Sequence, residues 1–212
     1  FIALFFGAIK AGIIPVAVNT MLRSQDYTFL VGDSECRAVV YSEVFMETVT
    51  AGLLDANYRP DHMLTMEAFF EEATTKSNEL AVFPSTELSE CFWLYSSGST
   101  GNPKGVVHPH RSMVCTSERY GANTVGLKES DTVFSVSKLF HSYGFGNAMT
   151  FPLWVGATIV LSDQRVTPQM SFEMIERFRP TVFFGVPTLY AQQLHAMEQL
   201  DPDLSSLRIC IS

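Results

Sequence analysis

Apolar runs of strand length alternate with longer stretches of helical period through most of the chain, a pattern that predicts parallel α/β units. From the N-terminus it predicts a helix up to Gly12, a strand over 14–18, a helix over 25–33 and a strand over 38–41. A helix over 43–54 and a short strand over 62–66 follow. Residues 71–90 are polar, weakly periodic and interrupted by Pro84, so they read as a surface connection. A division there gives a first α/β subdomain over 1–90 and a second, carrying the clearest patterning, over 91–212.

In the last third, Thr167 suits a helix N-cap and Pro168 the first helical position. Met170, Met174, Ile175 and Phe178 then fall on one face before Arg179-Pro180 ends the helix. Strands over 158–161, 181–184 and 207–211, joined by that helix and another over about 188–200, make a β-α-β-α-β unit with right-handed crossovers. Ligands of such sheets sit beyond the carboxyl ends of the strands, here at Gly185-Val186-Pro187.

Composition narrows the class. The 212 residues carry 14 Lys and Arg against 22 Asp and Glu, a net charge of −8, with 47% hydrophobic and 17% charged residues. That excludes a disordered or collagen-like chain and leaves no basic footprint for a nucleic acid. Small molecules are the expected partners. Cys36, Cys91, Cys115 and Cys210 are widely spaced with no C-x-x-C pair, as in the reduced thiols of a cytoplasmic protein without structural zinc. The apolar run at 1–9 is followed by Lys10, Gly12 and Pro15, against both a signal peptide and a membrane span. The sequence starts inside that run without a Met and stops just after the strand at 207–211, so it reads as a piece of a longer chain.

The most informative stretch is Tyr95-Ser-Ser-Gly-Ser-Thr-Gly-Asn-Pro-Lys-Gly105. Glycines let the backbone turn its N–H groups onto an anion, hydroxyls add donors, and Lys104 adds a mobile cation, which together suit polyphosphate. It is not a Walker A loop: Pro103 stands where that motif needs Gly, Gly105 where it needs a hydroxyl, and the flank at 105–109 is β-type. The loop therefore joins two strands. A hydrolase elbow is disfavoured too, because Ser97 replaces the first Gly of G-x-S-x-G and no helix follows. This stretch resembles the signature of the adenylate-forming superfamily of acyl- and aryl-CoA synthetases, adenylation domains and luciferases. The resemblance implies that Ser96, Ser97, Gly98, Ser99, Thr100 and Gly101 cradle the ATP phosphates and that Lys104 is their catalytic cation.

A second constellation, Lys138-Leu-Phe-His-Ser-Tyr-Gly-Phe-Gly-Asn147, sets one imidazole among three aromatics and two glycines. A histidine in such company is commonly a core residue, but Gly144 and Gly146 open room beside Tyr143 and Phe145, as in a slot for a flat apolar ligand. His108 and His110 have no Cys or carboxylate nearby in sequence to complete a metal site. With Thr150-Phe-Pro-Leu-Trp-Val-Gly-Ala157 and Pro180-Thr-Val-Phe-Phe-Gly-Val-Pro-Thr188, the second constellation resembles the benzoate-CoA ligase branch. That resemblance implies His141 as the gate between the ATP and acyl sites. It implies Ser142, Tyr143 and Gly144 lining the carboxylate pocket, with Gly185 and Val186 approaching the acid from the other side. His141, where many benzoate ligases carry Phe, hints at a hydroxylated acid.

The resemblance implies an α/β fold of parallel sheets with flanking helices, parts of two stacked subdomains of an acyl-CoA synthetase N-terminal domain. It implies ATP, Mg2+ and coenzyme A as cofactors, and an acyl-adenylate followed by an acyl-CoA thioester as products. The superfamily's Tyr-Gly-x-Thr-Glu, Thr-Gly-Asp and C-terminal lysine motifs are absent from these 212 residues, so this stretch alone is not expected to catalyse the whole reaction. A fatty-acyl ligase and a non-catalytic nucleotide-binding module are the competing readings.

Overall fold

The computed structural model describes residues 1–96 and 102–212. Contacts divide them into two units: residues 5–85 with 91–108, and residues 1–4 and 86–90 with 109–212.

In the unit formed by 5–85 and 91–108, β1 (Val16–Ala17) pairs in parallel with β4 (Glu90–Ser96), and β5 (Lys104–Pro109) lies on the other side of β4. The strand expected over 14–18 shortens to two residues. Pro15 has no N–H for the ladder, although its carbonyl still accepts from Trp93 N at 3.0 Å. A separate parallel pair joins β2 (Ala38–Tyr41) to β3 (His62–Thr65). Helices α2 (Ser24–Ser34) and α3 (Met46–Leu54) pack together through Tyr27, Val31, Val49 and Leu53. The 71–90 connection was expected to be irregular, yet its first residues complete a helix, α4 (Met66–Thr74). Thr65 caps it through a 3.1 Å bond from Ala68 N, and Met, Glu and Ala favour helix. α4 buries no residue.

The other unit is built on a four-stranded parallel sheet in the order β7 (Thr158–Val160), β6 (Thr132–Ser135), β8 (Val182–Phe184), β9 (Ile209–Ile211). The three expected strands form, but β7 and β8 are not neighbours: β6 lies between them. Val133 and Phe134 are completely buried, as are Val182 and Phe184. Side chains alternate along a strand, so Val133, Val182 and Phe184 pack on one face with Tyr143, Phe151 and Val155. Phe134 and Phe183 pack on the other with Met170, Phe172, Ile175 and Leu189. Each large side chain so buried contributes about 1.5–3 kcal/mol.

That second face is covered by α8 (Pro168–Phe178) and α9 (Pro187–Leu200). Thr167 caps α8 as expected, accepting from Met170 N at 3.1 Å. Arg179 ends it with φ +49°, and its guanidinium bonds Asp203 Oδ2 at 2.6 Å and Ser205 Oγ at 2.7 Å. Phe178 does not join the core face: it is half exposed, 4.9 Å beneath the Arg177 guanidinium, and Phe172 fills the core instead. Gln193 Nε2 of α9 donates to Ser171 Oγ of α8 at 2.8 Å, a buried polar link between the helices. Among the described residues no helix is long and apolar enough to cross a membrane.

At the edge where β6, β8 and β9 begin, buried Asp131 accepts from Arg208 Nε at 2.8 Å, from Thr181 Oγ1 at 2.7 Å and from Lys128 N at 3.0 Å. Burial alone would raise the Asp131 carboxyl, but the hydrogen bonds from Arg208, Thr181 and the Lys128 amide outweigh it and hold the group at about 2. A carboxyl depressed from the usual 3.8 stabilises the fold fully above pH 4, and that contribution fades as pH falls from 4 towards 2. The expected loss over this window is on the order of 2 kcal/mol. Urea unfolding between pH 7 and pH 2 checks it: Asp131→Asn should be less stable at pH 7 and flatter across the acid window, and an unaltered slope would exclude Asp131 as the source.

Candidate active site

In the first unit, the phosphate-loop stretch connects two adjacent strands, as its flanks predict. Ser96 is the exposed last residue of β4 and Lys104 the exposed first residue of β5. Ser97, Gly98, Ser99, Thr100 and Gly101 lie outside the described residues. Lys104 forms no ion pair with any described residue.

The strand ends are held by contacts that spacing did not announce. Tyr95 donates its hydroxyl to Asp33 Oδ2 of α2 at 2.6 Å. Burial, and then the Asp33 carboxylate, push the Tyr95 phenol upward, so it remains a donor. Sixty-two positions separate Asp33 from its partner in sequence. Gly105 allows the aromatic rings of β4 to lie flat on β5: a Cβ there would stand 3.1 Å from Trp93 Cε3 and 3.2 Å from Tyr95 Cζ. His108 stacks on Phe92 with centroids 4.6 Å apart and planes 6° apart, and burial lowers its imidazole pKa. Its ring therefore belongs to the packing of β5 on β4.

In the second unit, the parallel register brings the carboxyl ends of β6, β8 and β9 to one edge, with Ser135 beside Phe184 and Phe183 beside Cys210. Val136 N donates to Phe184 O at 3.1 Å, and the chain then runs through Lys138 to His141 before α6 (Ser142–Phe145). His141 and Ser142 are exposed, and the His141 ring lies 4.6 Å from that of Phe140. Tyr143 turns its ring edge towards Phe184 at 6.3 Å and donates its hydroxyl to Ile211 O at 3.2 Å. Burial, with Tyr120 adding to it, pushes the Tyr143 phenol up to about 12, so it is a neutral donor at neutral pH.

Gly185 follows β8, its N–H donating to Ile211 O at 2.9 Å and reaching Tyr190 Oη at 3.2 Å. Tyr190 in turn donates to Ile211 O at 2.9 Å. A Cβ on Gly185 would stand 2.7 Å from the Tyr190 ring. Val186 then caps α9 and Pro187 opens it. The structure thus gathers Ser142, Tyr143, Gly144, Gly185 and Val186 on elements that leave the same edge of the sheet. Tyr190 and the Ile211 carbonyl were missed from sequence; the strand pairing that joins them is invisible in a linear pattern.

Gly146–Thr150 is a π-helical turn between α6 and α7 (Phe151–Val155), and all five of its residues are buried. Such turns arise where an inserted residue widens a helix and are frequent at functional sites. Among the described residues, no group of three His, Cys, Asp or Glu side chains could hold a metal ion. Cys36, Cys91, Cys115 and Cys210 are all free, and burial pushes the thiols of Cys36, Cys91 and Cys210 upward.

The parallel sheets of both units, with their flanking helices, define an α/β chain. The AMP-binding enzyme family matches residues 1–212, and the chain belongs to that family. It is 41% identical to a benzoate–CoA ligase of Thauera aromatica over 98% of the chain, and 39% identical to a 4-hydroxybenzoate–CoA/benzoate–CoA ligase of Rhodopseudomonas palustris over 99%. The chain spans 40% of the length of each of these relatives. Among solved structures it resembles an anthranilate CoA ligase in complex with anthranoyl-AMP, at TM-score 0.91 and 32% identity over 97% of this chain and 41% of that one. It likewise resembles a benzoate CoA ligase from Burkholderia xenovorans, at TM-score 0.84 and 38% identity over 97% and 41%.

The slot expected beside Gly144 and Gly146 is closed by packing: a Cβ at Gly146 would stand 2.5 Å from the Phe151 ring, and the surroundings of Gly144 yield a direct test. A Cβ at Gly144 would lie 2.3 Å from Lys138 O and 2.5 Å from Ser137 O, both backbone atoms, whereas one at Gly7 in α1 (Ile2–Lys10) meets nothing within 4 Å. Gly144→Ala is expected to cost about 2 kcal/mol through forced backbone displacement. Gly7→Ala should be neutral or stabilising, because alanine is the better helix former. Comparing their urea midpoints checks this; equal midpoints would contradict the close approach at Gly144.

Proposed function

We propose that this chain is the phosphate-loop and acid-recognition portion of an ATP-dependent, AMP-forming aryl-CoA ligase, acting on benzoate or a hydroxybenzoate. The observation that carries the reading is the edge of the second unit at the carboxyl ends of β6 and β8, where exposed His141 lies against the Phe140 ring and half-buried Tyr143 lies against the core ring of Phe184. A flat aromatic acid fits such walls by offset stacking, while a flexible alkyl chain gains nothing specific from them. The identity to benzoate and hydroxybenzoate ligases supports the same class of acid.

The donor chemistry of the first unit suits ATP: an exposed lysine and an exposed serine hydroxyl flank a glycine- and hydroxyl-rich loop. When bound, ATP would supply the phosphorus on which an acyl-adenylate forms with loss of pyrophosphate, and coenzyme A would then accept the acyl group with release of AMP. In this reading Lys104 and Ser96, with Ser97, Gly98, Ser99, Thr100 and Gly101, neutralise and orient phosphate oxygens. Ser142 and the neutral Tyr143 hydroxyl orient the carboxylate, Gly144, Gly185 and Val186 border the acid pocket through their main chain, and His141 closes the acyl site as a polar gate. No described residue set is assigned to Mg2+, since none provides a cluster of ligands.

Two measurements on the full-length protein test this. Pyrophosphate release should be fastest with benzoate or 4-hydroxybenzoate and much slower with a medium-chain fatty acid; preference for the fatty acid would overturn the aryl assignment. Lys104→Ala should raise KM for ATP by about tenfold or more, the value of a lost charge-assisted hydrogen bond, with KM for the acid little changed. Unchanged ATP kinetics would remove Lys104 from the site.

A further inference from the structure

The segment 136–141 leaves β6 without regular structure and carries His141 at its end. One residue within it accounts for how it is held. Lys138 Nζ donates to Ser162 O at 2.9 Å and to Gln164 O at 3.0 Å, both in the connection that follows β7. It forms no ion pair with any described residue, so its charge is spent on two main-chain carbonyls. The main chain of the same residue also acts: Lys138 O accepts from His141 N at 3.1 Å, closing a tight turn immediately before α6. Gly144, one turn into the next element, comes so close to Lys138 O and Ser137 O that no side chain fits.

The side chain thus fastens the turn to the loop after β7, and the backbone fastens it to the first turn of α6. Both segments rise from the carboxyl ends of paired strands, β6 and β7. An ammonium reaching two carbonyls in a partly buried setting is a directional tether, because charge-assisted bonds are short and stronger than neutral ones. Lys138 is partly buried, whereas His141 and Ser142 beside it are exposed. A rigid support under exposed recognition side chains is what a binding wall requires, since small displacements of positioned groups weaken binding and turnover steeply.

We infer that Lys138 is a positioning residue for the acid-binding wall: its clamp on Ser162 O and Gln164 O fixes the turn that presents His141, Ser142 and Tyr143 to an aromatic carboxylic acid. The inference rests on the aryl-CoA ligase reading for its substrate, while the clamp itself stands on the geometry. Lys138 touches neither acid nor nucleotide in this role; it acts through the turn.

The test uses the full-length protein with Lys138→Met, which keeps the length and apolar stem but not the donors, and Lys138→Arg, which restores charge and donors. Two readouts are taken: steady-state kinetics with benzoate and ATP varied separately, and amide hydrogen exchange. Lys138→Met should raise KM for benzoate roughly tenfold, with KM for ATP little changed and Lys138→Arg recovering most of the loss. Exchange should quicken at residues 138–143 and 161–165 and stay unchanged in β2 and α3. A wild-type KM for benzoate together with unaltered exchange would overturn the inference. So would a uniform loss of stability with both KM values and kcat affected alike, since that describes a general structural role. If the wild-type protein activates no aromatic acid, the functional reading fails, and the paired exchange at 138–143 and 161–165 still decides whether the clamp exists.

Discussion

The second unit depends on the parallel pairing of β6 with β8. These two short strands place Val133, Phe134, Val182, Phe183 and Phe184 at or near complete burial, so both faces of the sheet centre are dry. Parallel strands with covered faces cannot be exchanged for solvent-facing ones without exposing large side chains on both sides. The pairing also fixes direction: every strand of this sheet begins at the edge of Asp131 and Arg208 and ends at the edge where the backbone passes to His141, Gly185 and Ser212. One edge therefore carries an ionic lock, and the other carries the segments that lead to His141 and Gly185.

This division of labour explains why the polar groups of the two edges behave differently. Asp131 is saturated by Arg208, Thr181 and Lys128, and Gln193 is matched to Ser171 between the helices. Such fully paired groups stabilise a single arrangement. At the opposite edge His141 and Ser142 are exposed, and in the first unit Lys104 and Ser96 are exposed at strand ends. Unpaired polar groups tolerated in water are the ones an incoming ligand can use.

Legibility from sequence followed the same physics. The helices α8 and α9 and the strands β8 and β9 were readable because caps, proline positions and apolar faces agree with one another. The loop between β4 and β5 was readable because Pro103 and the β-branched flank forbid a helix. β6 went unread: four residues between polar segments carry too little pattern, and its centrality comes only from pairing with strands 26 and 49 positions away. α4 went unread because it follows β3 with no intervening residue and ends among the polar residues of the next connection. Tyr95 with Asp33, and Tyr190 with Ile211, were beyond reach because their partners are brought together by chain topology alone.

The Ile211 carbonyl carries a further consequence. It receives the Gly185 amide at 2.9 Å, the Tyr190 hydroxyl at 2.9 Å and the Tyr143 hydroxyl at 3.2 Å, although a carbonyl oxygen has two lone pairs. The acceptor is oversubscribed, and Tyr143 holds the longest of the three bonds. Its proton can be lent to another oxygen while the carbonyl stays fully satisfied by the remaining two donors, so withdrawing it incurs no penalty of a stranded buried acceptor.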